Sequence, residues 1–226
     1  MHVLIFGATG MVGQAVLREC LLDDRVDRVL AVGRRLSGEH HSKLDEVLVS
    51  DVADLSPVQE RLRGFDACMF CLGVSSVGMT EAEYTRLTFD LTLSAATLLS
   101  RLNPTMTFMY VSGTGTDSTE HGRIMWARVK GRTENAILRL PFRASYMFRP
   151  GLIVPQHGVT SRTTWTRVAY AVSRPLLPVI QVLAPSYVTT SERFGRAMIA
   201  VGLHGYESPI LETRDINACA ATSSAA

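Results

Sequence analysis

Short apolar runs alternate along this chain with longer segments in which apolar residues recur at helical spacing. The first run covers residues 1–6, and in the segment after it Val12, Val16 and Cys20 lie on one face of a predicted helix. Short uninterrupted apolar runs are typical of parallel strands that are buried on both faces. Five such alternations in succession predict an α/β fold, with a right-handed, doubly wound parallel sheet.

Turn and capping residues mark the limits of the later elements. Further strands are predicted at residues 28–33, 47–50, 66–71, 106–112 and 145–149. Thr80-Glu81-Ala82-Glu83 is a capping box, which predicts the start of a helix that runs to Leu102, before Asn103-Pro104. Ser56-Pro57 predicts a short helix earlier in the chain, and another helix is predicted around residues 126–134.

The chain after residue 150 contains a strongly apolar segment at residues 163–184. Arg174, Pro175 and Pro178 interrupt this segment, whereas a membrane span needs about 20 apolar residues without such breaks. We therefore expect a hydrophobic cap over a pocket, or a subunit interface, rather than a membrane span.

The remaining residues predict a few short elements. These are a capped helix that starts near Thr189, a strand at residues 209–212 and a helical turn at 213–217, followed by an Ala/Ser-rich tail that is expected to fray. We expect a single domain over residues 1–226, in which residues 150–226 form a small C-terminal substrate or cap lobe.

Composition narrows the class of protein. The 226 residues are 46% hydrophobic and 19% charged, with a formal net charge of +2, as in an ordinary globular protein. This charge gives no reason to expect a nucleic acid or an anionic membrane as partner. No basic segment with a cleavage site precedes the first strand, so we expect a cytoplasmic protein.

The four cysteines fit a reducing compartment without structural disulfides. Cys68 and Cys71 form a C-x-x-C sequence within a predicted strand, where residues three apart point to opposite faces. A redox pair favours a helix N-terminus, and a zinc site needs further ligands at suitable spacing. We predict buried packing for both cysteines and no metal site.

Glycines Gly7, Gly10 and Gly13 lie between the first strand and the first helix. A helix N-terminus carries unpaired N–H groups and a partial positive charge, which favour a bound phosphate. Gly7 is expected to make the tight turn, Gly10 to let the phosphates approach, and Gly13 to let the helix pack on the strand. The sequence therefore predicts a nucleotide-phosphate site in a Rossmann-type fold.

The sequence Gly7-Ala8-Thr9-Gly10-Met11-Val12-Gly13 resembles the G-A-T-G-x-x-G turn of short-chain dehydrogenases/reductases, particularly their extended and atypical members. The resemblance, which is specific over residues 1–155, implies a nicotinamide dinucleotide held by this whole turn, including Thr9, Met11 and Val12. It also places cofactor contacts after later strands, at Asp51 and Val52 beside the adenine, Leu72 and Gly73 beside the ribose, and Arg149 and Pro150 near the nicotinamide. The alternative for Asp51 is a simple turn-forming residue, and Arg149 is equally consistent with a structural ion pair.

Arg34 and Arg35 follow the second predicted strand, about twenty residues after the glycine turn. At this place an acidic residue binds the ribose 2′-hydroxyl of NAD, whereas arginine accommodates the 2′-phosphate of NADP. We therefore expect NADP(H) to be preferred over NAD(H). Exposed arginines at a strand end, without a ligand, are the alternative.

Catalysis in the resembling family depends on a Ser after strand five, and on a Tyr and a Lys four residues apart on the next helix. Ser112 and Lys130 occupy two of these positions, in a segment that looks like the family's Y-x-x-V-K-G-x-x-E. Only two of the 23 basic residues are lysines, which supports the assignment of Lys130. Lys130 is also expected to hold the cofactor ribose. Trp126 replaces the tyrosine, and an indole does not titrate.

Two hypotheses follow from this replacement. The protein is an NADP-dependent oxidoreductase for a small hydrophobic carbonyl that obtains its proton elsewhere, with His121 and Tyr110 as candidates. Alternatively it is a non-catalytic NADP(H)-binding redox sensor or partner-binding regulator. The C-terminal part is too short for a large sugar-nucleotide domain, and the resemblance implies that the helix over residues 80–102 contributes to a homodimer.

Overall fold

The computed structural model of the chain describes residues 1–158 and 186–222. Their strands are β1 (His2–Phe6), β2 (Arg28–Gly33), β3 (Leu44–Leu48), β4 (Ala67–Phe70), β5 (Thr107–Val111), β6 (Ala144–Arg149), β7 (Leu152–Val154), β8 (Val188–Thr190) and β9 (Ile210–Glu212). Their α-helices are α1 (Met11–Leu22), α2 (Glu81–Thr85), α3 (Leu91–Leu102), α4 (Met125–Leu138), α5 (Ser191–His204) and α6 (Thr213–Thr222). A 3₁₀ helix covers Ser56–Leu62, and a π-helical turn, Arg86–Asp90, joins α2 to α3.

Seven of the described strands form one sheet in the order β3-β2-β1-β4-β5-β6-β9, and β7 pairs with β8 beside it. Every pair of neighbours in the large sheet is parallel. The order reverses between β1 and β4, which is the place where ligands bind in such sheets. The predicted doubly wound parallel sheet is therefore confirmed.

Helices cover both faces of the sheet and create two separate cores. In β1, Val3 and Ile5 belong to the core formed with α1, α5 and α6, whereas Leu4 and Phe6 belong to the core formed with the 3₁₀ helix, α3 and α4. Successive side chains of a strand point to opposite faces, so a strand covered on both sides must be apolar at every position. This explains the uninterrupted apolar run from which β1 was predicted.

Local signals fixed several helix starts. The side chain of Thr80 accepts a hydrogen bond from the backbone N–H of Glu83, whose carboxylate accepts one in return from the N–H of Thr80, so the predicted capping box is present. Thr190 caps α5 by accepting from the N–H of Arg193. The predicted fifth and sixth strands match β5 and β6 to within two residues.

Four local predictions need correction or comment. The third strand lies at Leu44–Leu48 rather than at 47–50. The segment after Asn217 continues α6 to Thr222, because Cys219 and Ala220 are buried in the core beside α5. The apolar stretch at 163–184 lies outside the described residues. Residues 210–222 contribute β9 to the main sheet as well as α6, and the extent of a separate cap lobe stays a prediction.

Cys68 and Cys71 pack on opposite faces of the sheet, as strand alternation predicts. Cys68 is part of the core with α3, and Cys71 packs against the core with α1. All four cysteines are free thiols. Among the described residues, no helix is both long and apolar enough to cross a membrane.

Candidate dinucleotide site

The turn between β1 and α1 requires glycine at two positions. Gly7 has a φ of +82°, and a Cβ atom there would lie 2.8 Å from the backbone nitrogen of Leu72. A Cβ atom at Gly13 would lie 2.0 Å from the carbonyl oxygen of Gly7. Because such contacts are forbidden, only glycine lets the strand turn here and lets α1 pack against it. The hydrogen bond from the N–H of Gly10 to the carbonyl of Gly7, at 2.9 Å, closes the turn.

Gly10 differs from the other two glycines. A Cβ atom at this position would meet only the carbonyl oxygen of Gly7, at 3.4 Å, so the protein itself leaves space here. Gly10 is also the N-cap of α1, and no side chain caps the helix. The backbone N–H groups in the first turn of α1 have no side-chain cap, and the glycine leaves space for a ligand to approach them. This arrangement fits a pyrophosphate, whose oxygens accept hydrogen bonds from such N–H groups.

A cavity of about 310 Å³ opens beside this turn. Six residues predicted to bind the cofactor line it: Gly7, Thr9, Arg34, Arg35, Val52 and Leu72. Further lining comes from residues that were not predicted, including Glu46, Val47 and Leu48 of β3. Val47 and Leu48 belong to the predicted third strand but were given no cofactor role, and Glu46 lies before the predicted strand. The cavity wall is thus made by the ends of β1, β2 and β3, by Val52 after β3 and by Leu72 after β4.

The other predicted cofactor residues lie outside the cavity lining. Gly10, Met11, Val12 and Gly13 form the helix start, and Gly73, Lys130, Arg149 and Pro150 belong to the turns and helix farther along the sheet edge. Asp51 is exposed and accepts a hydrogen bond from the N–H of Ala53 at 2.9 Å, which is the turn-forming geometry that was the alternative for this residue.

Arg34 and Arg35 have exposed side chains at the end of β2. Neither forms an ion pair with any described residue, so both guanidinium groups are available to a ligand. The only carboxylate in the cavity lining is that of Glu46, which accepts a hydrogen bond from the backbone N–H of Ser37 at 2.7 Å. The site therefore combines a helix N-terminus with two uncompensated cations, an arrangement that attracts phosphate groups.

Ser112 and Lys130 are in direct contact at the end of β5. The Nζ of Lys130 donates a hydrogen bond to the carbonyl oxygen of Ser112 at 2.5 Å. Burial lowers the pKa of Lys130 to about 8, although the negative charge of Glu134 opposes this shift. The hydroxyl of Ser112 donates to Glu134 at 2.5 Å and lies 3.2 Å from the carbonyl oxygen of Phe148.

Glu134 was not assigned a role from the sequence, although it is the final residue of the Y-x-x-V-K-G-x-x-E-like segment. It is completely buried and forms an ion pair with Arg149. Arg149 also donates to the hydroxyl of Ser118 at 2.5 Å and lies 3.5 Å from Glu212. Arg149 is therefore engaged in the structural ion pair that was the alternative to a direct cofactor contact.

Trp126 lies one helical turn before Lys130 and is partly exposed. Its ring faces the loop after β5, and a Cβ atom at Gly115 would lie 3.6 Å from ring carbon Cη2. Of the two alternative proton donors, Tyr110 is 1% exposed within the core, and burial raises its pKa. His121 is exposed in the loop before α4.

The parallel strands bring all these groups to one edge of the sheet. Phe6, Phe70 and Tyr110 are in register on β1, β4 and β5, and the chain leaves each strand at the same end. Gly7 and Ser112 are thus about two strand spacings apart, or roughly 10 Å. The glycine turn and the contact between Ser112 and Lys130 therefore lie along one edge of the sheet, with the end of β4 between them.

Sheet order, glycine turn and edge together define a nucleotide-binding protein of the Rossmann class. The NAD dependent epimerase/dehydratase family matches residues 3–121, which is just over half of the chain. The chain belongs to this family, and the resemblance to short-chain dehydrogenases/reductases is confirmed.

Curated relatives include fungal and mammalian proteins. The protein fmp52, mitochondrial, of Emericella nidulans is 27% identical over 213 residues, covering 89% of this chain and 87% of that protein. HTATIP2 of Rattus norvegicus is 26% identical, covering 67% of this chain and 62% of that protein. The Leucinostatins biosynthesis cluster protein T of Purpureocillium lilacinum is 29% identical over 143 residues, and the match spans only about half (52%) of its length. Since fmp52 is named mitochondrial, the cytoplasmic location stays a prediction.

Solved structures agree with the fold. The dTDP-glucose 4,6-dehydratase DesIV of Streptomyces venezuelae, with NAD bound, is 14% identical with a TM-score of 0.64, covering 100% of this chain and 82% of its own. The Bordetella bronchiseptica enzyme WbmH, in complex with NAD⁺, is 15% identical with a TM-score of 0.61, covering 89% of this chain and 71% of its own. At this identity the likeness concerns the fold alone.

Proposed function

We propose that this protein binds NADP(H) along the sheet edge and uses it to reduce a small hydrophobic carbonyl compound. The observation that carries the cofactor assignment is the pair Arg34 and Arg35, which line the cavity without a described ion-pair partner. A 2′-phosphate forms charge-assisted hydrogen bonds with guanidinium groups, whereas a 2′-hydroxyl prefers a carboxylate acceptor. Neither residue directly after β2 is acidic.

The remaining contacts follow from the same edge. The pyrophosphate would lie on Gly10 and the first turn of α1, and the adenine would lie near buried Val52. The nicotinamide end would then reach the ends of β4 and β5, close to Ser112 and Lys130. The reduced cofactor supplies a hydride when bound, and the protein must orient the substrate and deliver a proton.

The apolar character of residues 163–184, which come after Arg149 and Pro150 in the chain, supports a hydrophobic substrate.

A non-catalytic redox sensor is the second candidate, and two observations favour it. Trp126 occupies the position of the tyrosine, and the hydroxyl of Ser112 is engaged by Glu134. A protein with these features binds NADP(H) without turnover if no other group supplies the proton.

Fluorescence titrations with NADPH and NADH test the cofactor assignment. We expect wild type to bind NADPH more tightly, and Arg34→Ser with Arg35→Ser to weaken NADPH binding by about 10- to 100-fold, since a hydrogen bond to a charged group contributes about 1.5–3 kcal/mol. Binding of NADH should change little. Arg101→Ser is the matched control, because Arg101 is exposed on α3, away from the cavity lining. A wild-type preference for NADH would overturn the assignment.

NADPH oxidation with aldehydes from butanal to benzaldehyde separates the two candidate functions. Turnover above the uncatalysed rate supports the reductase. Tight NADPH binding without turnover of any of these compounds favours the sensor.

A further inference from the structure

We propose that Lys130 donates, directly from its ammonium group, the proton that the family's tyrosine would supply. The inference rests on the proposed reductase function and assigns the acid that this function needs. Lys130 lies one turn after Trp126 on α4, so both side chains project from the same face of the helix. That face meets the end of β5, where the sheet edge would bring the substrate.

The anchoring of Lys130 leaves part of its ammonium group available. One N–H donates to the carbonyl oxygen of Ser112 at 2.5 Å, and an ammonium group has three donors. No other described residue accepts from Lys130. The carbonyl of Ser112 therefore holds the nitrogen at the edge, and two N–H groups remain for a ribose hydroxyl and a substrate oxygen.

Titratable side chains on the helix of Lys130 and on neighbouring elements are unsuited to this task. Tyr110 on β5 and Tyr84 on α2 are both buried, at 1% and 2% exposure. Glu134 on the same helix is buried and paired with Arg149 from β6, which also contacts Glu212 of β9.

Burial lowers the pKa of Lys130 to about 8, the range in which a group both holds and releases a proton near neutral pH. The charge of Glu134 limits this shift, and Arg149 in turn compensates Glu134. These surroundings thus suit a general acid, which is protonated before the reaction and transfers its proton to the substrate oxygen during it.

The substrate carbonyl carbon accepts a hydride from the reduced dinucleotide, and the π pair of the C=O bond moves to oxygen. An N–H bond of Lys130 breaks as the O–H bond of the alcohol forms, so the substrate is reduced to an alcohol and the dinucleotide is oxidised. Lys130 is left as a neutral amine, which regains a proton from water.

The chain offers a direct measurement, because it contains only two lysines. Biosynthetic ¹³C-lysine labelling gives two sets of side-chain signals, and Lys43→Arg identifies the set of Lys130. We expect the Lys130 signals to titrate with a midpoint near 8 and to shift when NADPH is added. A midpoint above about 10, the range of an ordinary lysine, would overturn the inference without any substituted variant.

Kinetics of Lys130→Arg complete the test, because arginine keeps the positive charge and does not release a proton near pH 8. We expect NADPH binding within about threefold of wild type and benzaldehyde reduction lowered by about 10²- to 10⁴-fold. The wild-type rate should fall about tenfold per pH unit above about 8, and Lys43→Arg should behave as wild type.

The outcomes separate the two proposals. A wild type that binds NADPH while Lys130→Arg retains its turnover overturns the role of Lys130 and leaves the reductase in place. A wild type that binds no NADPH overturns both proposals. If wild type binds NADPH without turnover, the role of Lys130 as an acid is overturned and the non-catalytic redox sensor remains.

Discussion

Glu134 and Arg149 form an ion pair in which the glutamate side chain is 0% exposed and the arginine side chain 10% exposed. The pair connects four elements at the functional edge. Glu134 of α4 accepts from the hydroxyl of Ser112 after β5, and Arg149 at the end of β6 reaches Glu212 of β9. The side chain of Ser112 and the helix that carries Lys130 are therefore held by one buried carboxylate.

Arg149→Met is expected to destabilise the protein by about 3–5 kcal/mol, since it leaves the carboxylate of Glu134 buried without its counter-charge. Urea denaturation at pH 7 measures the loss. Arg63→Met is the matched control, because its pair with Glu60 is 51% and 73% exposed, and such surface pairs contribute about 0–1 kcal/mol.

The double variant Glu134→Gln with Arg149→Met adds a further check. It should recover part of the stability that Arg149→Met loses, because it also removes the unpaired buried negative charge of Glu134. Equal losses in Arg149→Met and Arg63→Met would show that Glu134 does not depend on its partner.

Gly10→Ala and Gly13→Ala should fail in different ways. At Gly13 the new methyl group overlaps the carbonyl of Gly7, so we expect a loss of about 1–3 kcal/mol or more in unfolding free energy. At Gly10 the methyl group has room within the protein but points into the space predicted for the pyrophosphate. We expect near wild-type stability with NADPH binding weakened at least about tenfold.

Thermal unfolding and NADPH titration on both variants check this contrast. Tight NADPH binding by Gly10→Ala would show that no phosphate approaches that backbone. A fully stable Gly13→Ala would mean that α1 moves away from β1 more easily than the packing indicates.

Local sequence rules predicted the parts of this protein that depend on neighbouring residues. The glycine turn, the capping box at Thr80 and the buried β1 all follow from backbone sterics, caps and alternation over a few positions. The opposite placement of Cys68 and Cys71 followed from the same alternation. The part of the site near the turn was predictable because one short segment contains it.

Features that depend on distant partners were missed. Glu134 contacts Ser112 and Arg149 only because β5 and β6 pair. The family motif shows that a glutamate is present at this position, but it does not show which residues the glutamate contacts. β3 was placed too late because Asp45 and Glu46 hide the strand pattern at this edge of the sheet. The part of α6 after Asn217 was expected to fray, because its Ala/Ser-rich composition does not show that Cys219 and Ala220 are buried.

The four cysteine thiols should react slowly with Ellman's reagent in the native state. Burial raises the pKa of Cys71 to about 12 and that of Cys219 to about 11, and it also raises the pKa values of Cys20 and Cys68. At pH 8 we expect the reaction to be at least about 100-fold slower than in guanidinium chloride, since only thiolates react. Rapid loss of two thiols with a Cys68–Cys71 disulfide would contradict the structural role of this pair.

Lys130 should make stability depend on pH. The folded protein releases the proton of Lys130 near pH 8, whereas an unfolded lysine keeps it to about 10.4, so the unfolded state binds more protons between these values. The penalty for burying the charge is therefore full below pH 8 and disappears as pH rises to about 10.5. The rise in unfolding free energy across this window should be up to about 3 kcal/mol larger in wild type than in Lys130→Met.

Urea denaturation at several pH values measures this difference. In Lys43→Met the unfolding free energy should rise with pH as in wild type, because Lys43 is not on α4. It donates a hydrogen bond to the backbone carbonyl of Asp23. Identical slopes in wild type and Lys130→Met would show that Lys130 has the same proton affinity in both states.

Trp126→Tyr distinguishes a protein that has its own proton donor from one that lacks it. If Lys130 supplies the proton, we expect the added phenol to raise the rate of benzaldehyde reduction by less than about tenfold. If the missing tyrosine is the whole defect, the gain should approach the 10²- to 10⁴-fold typical of a general acid. Phenylalanine at the same position is the matched control for ring packing beside Gly115, since it adds no hydroxyl. A gain of about 100-fold or more in Trp126→Tyr but not in Trp126→Phe would argue against Lys130, because a site already served by an acid has little to gain from a second one.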